Sequence, residues 1–261
     1  MGAIKAKRIR NRLIIFVLII VLIGVNFACQ TPWYMDQYDP GYSPGDYEQT
    51  DSFEIDPETI LTALEQGQTN VFVPINSTPE AYISLPAGSY SWTQADYLKI
   101  SENLFQYVWK EPASAWSLYQ IGLVKRGCEN NLDGFDMARV VYFKSIEVDG
   151  EEMYTVRDVF ITPLLRKITW GKTWNYHPTH KWKEIIFEGL QVTADDALLL
   201  AENNGGKDIR LRMNNKCNIS VDLAPDGTYS GWRITYIDEN ARTVFAMSVD
   251  PSTGEYEIDE R

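Results

Sequence analysis

Both histidines of the 261-residue chain, His177 and His180, lie in one aromatic run from Trp170 to Trp182 that also holds Trp174 and Tyr176. Two imidazoles three residues apart can offer two ligands to a metal. Pro178 between them disfavours a helix presenting both, and no carboxylate lies in the run to complete a set, so no metal is assigned. The rings of Trp170, Trp174, Tyr176 and Trp182, with His177 and His180 at their side, form a candidate ligand surface, since flat amphipathic rings stack on sugars and on peptide planes. The plainer reading of the same residues is an aromatic-packed connection.

Other familiar chemistry is missing from the sequence. There is no Gly-rich phosphate loop, no Gly-x-Ser-x-Gly elbow and no HExxH. Neither Cys128 nor Cys217 has a histidine close in sequence to activate it. Asp195 and Asp196 are adjacent carboxylates, but they open a predicted helix, where acids favour the positive end of the dipole. No catalytic residue and no cofactor is expected. An enzyme with an unrecognised site stands as an alternative.

Two stretches repeat across one hundred residues, Thr93 to Asn103 and Thr193 to Asn203, with Thr, Asp, Leu, Glu and Asn recurring in step. In each, Thr at the N-cap and Asp three residues on predict a capping box that starts a helix. The first helix presents Leu98, Leu104, Tyr107 and Val108 on one face, with Ile100 toward its edge. The second presents Ala197, Leu198, Leu200 and Ala201 and stops at Gly205-Gly206. Strands are predicted around each helix: 82–85, 116–124, 137–146, 153–161 and 165–170, then 184–187, 209–213, 219–223, 232–237, 243–249 and 255–258. Asp149-Gly150 is a tight hairpin turn. The expected fold is α+β, two units each with a helix packed on an antiparallel sheet, 56–180 and 181–261.

The net charge of −12 is uneven. Residues 1–29 hold Lys5, Lys7, Arg8, Arg10 and Arg12 and no acid, so the remaining 19 basic and 36 acidic residues leave −17 on the rest. Such a body repels phosphate backbones, and nucleic acid is set aside as a partner. The basic start, the apolar run Leu13 to Val25 and the small Ala28 before Cys29 have the order of an export segment. Ala28-Cys29 resembles the bacterial lipoprotein junction, which makes Cys29 the lipidation candidate. An uncleaved signal anchor, with Trp33 and Tyr34 at the interface, is the alternative. Plain secretion is the third reading; all three place the body outside the cytoplasm, and the first two attach it to the membrane through residues 1–29. Residues 30–55, rich in Tyr, Pro, Gly and Asp, read as a flexible tether. In an oxidising compartment Cys128 and Cys217 can pair or remain separate thiols.

The run Val192 to Ala197, with Leu200-Ala201 and Gly205-Gly206, then Trp232 to Tyr236, then Phe245 to Glu255 ending in Val249-Asp250-Pro251-Ser252-Thr253-Gly254-Glu255, resembles a PepSY domain. The resemblance covers about 192–258. It implies a small α+β fold of PepSY or cystatin-like type, found in exported proteins and protease propeptides, which binds or restrains partner proteins and offers no catalytic residues. The sequence thus leads to an anchored, non-catalytic protein that binds an exported peptidase or another envelope ligand. The rival class is a carbohydrate-binding module using Trp170, Trp174 and Trp182.

Overall fold

Ile121 and Leu123, Val140 and Tyr142, Val159 and Ile161 alternate along their strands with residues that face the other way, and all six are buried in one core. That period of two makes a sheet with a covered face. The computed structural model describes residues 47–68, 70–75, 91–127, 132–178, 181–223 and 231–259. The chain divides into Met1–Tyr38 and Asp39–Arg261. The first part, and with it Cys29 and the export segment, lies outside the described residues.

The second part forms one ten-stranded antiparallel sheet. In chain order its strands are β1 (Tyr47–Glu54), β2 (Val73–Ile75), β3 (Ser117–Arg126), β4 (Met137–Val148), β5 (Glu151–Thr162), β6 (Lys167–Thr173), β7 (Cys217–Leu223), β8 (Trp232–Asp238), β9 (Thr243–Val249) and β10 (Tyr256–Ile258). Across the sheet the order is β10-β9-β8-β7-β3-β4-β5-β6-β1-β2. The helices are α1 (Ile60–Glu65), α2 (Gln94–Val108), α3 (Ala194–Ala201) and α4 (Lys207–Arg212).

This corrects the expected division into two helix-on-sheet units. β3 and β7 pair from Ile121↔Leu223 to Arg126↔Asn218, so the strands of both halves belong to one sheet. The cause is burial. Ile121 and Leu123 on β3 and Ile219 and Val221 on β7 are sealed from water, and a strand edge in such surroundings would leave N–H and C=O groups dry and unpaired. Pairing the two strands satisfies both ladders. A single apolar core then takes residues from α2, α3 and the sheet together.

Four local expectations also change. Residues 47–54, read as tether, form β1, which pairs with β6 and with β2. Four of its side chains in a row are exposed, so it holds its place through backbone ladders and shows no apolar period. Residues 209–213, read as a strand, fall mostly in α4. Residues 184–187 form no strand, although Ile185 N–H donates to the Leu118 carbonyl at 2.7 Å. The buried face of α2 is centred on Tyr97, Ile100, Ser101, Leu104 and Phe105, rotated from the expected one because the Tyr97 hydroxyl reaches the Phe135 carbonyl at 2.7 Å and is satisfied inside.

Candidate ligand-binding groove

Thr93 and Thr193 both open helices with full capping boxes. In each, the Thr hydroxyl accepts from the backbone N–H of Asp96 or Asp196, while that carboxylate accepts from the Thr backbone at 2.8 and 3.1 Å respectively. The two starts also meet. The Gln94 side-chain oxygen accepts from Ala194 N–H at 2.7 Å, and Asp195 Oδ2 accepts from Gln94 N–H at 3.1 Å. Burial, with the like charges of Asp196 and Asp96, holds the Asp195 carboxyl above its ordinary range despite that hydrogen bond. Asp195 is thereby a capping group rather than half of an acid–base pair.

The aromatic run does not present one surface. Trp170, on β6, is buried and meets Trp109 edge-on with ring centres 5.4 Å apart. Trp182 is buried in a second cluster, stacked on Tyr119 at 3.7 Å and packed with Phe143, Tyr154 and Tyr176. Tyr142 belongs to the cluster of Phe105, and its neighbour Phe143 to that of Trp182, so the two clusters lie on opposite faces of the sheet. Trp174 stands in solvent at 57% exposure. His177 is exposed with Nε2 3.5 Å from a Glu151 oxygen, and His180 lies outside the described residues. Among the described residues no group of three or more His, Cys, Asp or Glu is placed to hold a metal ion.

The cleft with the clearest chemistry runs along α2. Leu98, Glu102, Asn103 and Gln106 form one side, Trp116, Leu118 and Tyr142 the floor, and Glu184, Ile185 and Phe187 the other side, enclosing about 470 Å³. Its walls mix apolar and polar side chains, Glu102 and Glu184 both line it, and no basic residue does. Removal of water raises the Glu102 carboxyl above its ordinary range, with no neighbouring cation to offset it. The floor is fixed by Tyr142, whose hydroxyl is 2.8 Å from that of Ser101 on α2.

The sheet face opposite α2 carries a polar row that periodicity does not reveal. Asp222 on β7 lies between Arg233 on β8 and Gly122 on β3, and Gly122 pairs onward with Arg139 on β4. A Cβ at Gly122 would stand 2.6 Å from Asp222 Oδ1, so glycine makes room for the carboxylate. Burial pushes Asp222 up to about 6, against the Ser220 hydroxyl that donates to it and the charge of Arg139. Arg139 itself is forked onto the buried Asp158, to which the Tyr47 hydroxyl also donates at 2.8 Å. The Arg139–Asp158 pair and the carboxyl of Asp222 hold neighbouring strands together on this face.

Glu102 was visible in the sequence as the repeat partner of Glu202. What could not be seen is that the two carboxylates meet different surroundings. Comparison with protein-family models, with curated proteins and with solved structures gives no match.

Proposed function

We propose that this chain is an exported, membrane-anchored, non-catalytic binding protein whose body holds or restrains another envelope protein, an exported peptidase among the fitting classes. The observation that carries the reading is the groove along α2, a cleft of mixed lining with two exposed carboxylates and no basic residue in its walls. Both carboxylates are exposed, so a cationic group brought by a partner can reach them. The placement outside the cytoplasm is supported by the order of Lys5 to Arg12, Leu13 to Val25 and Ala28-Cys29, and by Cys217, which is disulfide-bonded. The PepSY-like motifs of 192–258 agree with a partner-restraining role. In the structure Asp250 Oδ1 accepts from Ser252 and Thr253 N–H in the β9–β10 turn, and the Pro251 carbonyl accepts from Gln191 and Val192 ahead of α3.

The test uses full-length protein expressed in a host envelope and chemically cross-linked before extraction. One dominant partner, lost when Leu98 and Phe187 are changed to Asp, is the expected result. Equal capture by both forms would exclude the groove as the binding site.

A further inference from the structure

The repeat supplies its own answer to what the Glu102 carboxylate takes. At the matching position of the second helix, Glu202 receives the Arg210 guanidinium as a fork, Nη2 at 2.7 Å and Nε at 3.2 and 3.3 Å from its oxygens. The Tyr236 hydroxyl donates to the same carboxylate at 2.7 Å. Arg210 comes from α4, which the chain reaches through a kink at Asn204 and Gly205, the latter at φ +111°. Gly206 lets Tyr236 approach, since a Cβ there would stand 2.6 Å from the hydroxyl. Acid, phenol and guanidinium form a closed set.

At the first helix the acid and the phenol are present, as Glu102 and Tyr142, and both line the groove. After α2 the chain makes only a short turn, Ala113–Ala115, so no α4-like helix brings an arginine. Arg157 on β5, paired beside Tyr142, turns its guanidinium onto the Trp116 ring at 4.4 Å, and Lys144 is engaged by Glu111 at 3.9 Å, so neither cation is bonded to Glu102. The half-buried Leu98 and Phe187 offer apolar walls for the methylenes of a long side chain, and Glu184 adds a second negative charge to the groove.

We propose that the groove takes an arginine side chain presented by a partner polypeptide, its guanidinium forked onto Glu102 and its stem laid between Leu98 and Phe187. This rests on the binding-protein reading above. A planar guanidinium matches a carboxylate in two parallel hydrogen bonds, which an ammonium cannot do.

The experiment is calorimetric titration of the full-length chain in detergent micelles with Nα-benzoyl-arginine amide, its lysine counterpart and its neutral citrulline counterpart. The arginine compound is expected to bind at least about ten-fold more tightly than either of the others. Glu102→Gln should abolish that preference without changing the unfolding temperature, whereas Glu58→Gln, at an exposed site away from the groove, should keep it. Equal binding of the arginine and citrulline compounds would leave only an apolar cleft and overturn the proposal, as would a lysine compound that matches arginine. A partner cross-linked in the envelope while the arginine compound fails to bind sinks the guanidinium alone. Arginine binding without any captured partner sinks the partner-restraining role alone.

Discussion

Gln94 and Asp195 cap one another's helices: the Gln94 amide oxygen accepts from the first N–H of α3, and the Asp195 carboxylate accepts from the first N–H of α2. Gln94 is buried, so its loss leaves the Ala194 N–H without an acceptor in a dry place. Gln94→Ala is expected to cost about 1–3 kcal/mol, read by urea unfolding. A change within experimental error would mean that water serves that site equally well.

Asp222 carries a pH signature. Its carboxyl, raised to about 6 by burial, takes a proton more readily in the folded than in the unfolded chain. The folded state therefore gains from this group below the ordinary carboxyl value, and the gain disappears as pH rises through about 6. Asp222→Asn should be more stable than the parent by about 1–3 kcal/mol near pH 7.5, with the difference fading near pH 4. Urea unfolding at the two pH values checks this; an equal difference at both would remove Asp222 as its source.

The tryptophans of the 170–182 run should respond in opposite ways. Trp182→Ala empties a site stacked on Tyr119 and is expected to cost about 3–5 kcal/mol. Trp174→Ala, at an exposed position, should stay within about 0.5 kcal/mol. Thermal unfolding of both variants, with glycan-array binding of the second, separates packing from recognition. Glycan binding lost in the Trp174 variant would restore a sugar surface there.

Cys217 is disulfide-bonded, and Cys128 is the expected partner. The β3–β7 ladder ends at Arg126↔Asn218, one residue in sequence from position 217 and two from position 128. Cys128 itself lies outside the described residues. Peptide mapping without reductant should find the two joined, and Cys217→Ser should cost about 2–5 kcal/mol. A map joining Cys217 to Cys29 would refute the pairing and exclude lipid on Cys29.

The local signals of this fold were legible and the long-range ones were not. Thr93 with Asp96, and Thr193 with Asp196, mark helix starts because a cap is written within four residues. Asp149 and Gly150 mark the β4–β5 hairpin because both adopt positive φ, 53° and 84°. Pairing of β3 with β7 is written nowhere locally: both strands are apolar enough to sit anywhere in a sheet, and only the joint core decides their neighbours. Residues 209–213 misled because Ile209, Leu211 and Met213 alternate like a strand, while the Arg210 fork on Glu202 favours a helix. The groove was not legible: Glu102 was only one of five recurring residues, and the absence of an Arg210 counterpart is a property of the folded chain.

The sheet ends in β10 on one side and β2 on the other, three residues each, and β2 carries Pro74 at its middle. Each outermost strand offers an incoming chain only a three-residue ladder, and on the β2 side one N–H fewer. Fibre growth by addition at β2 or β10 would therefore stall at its first step.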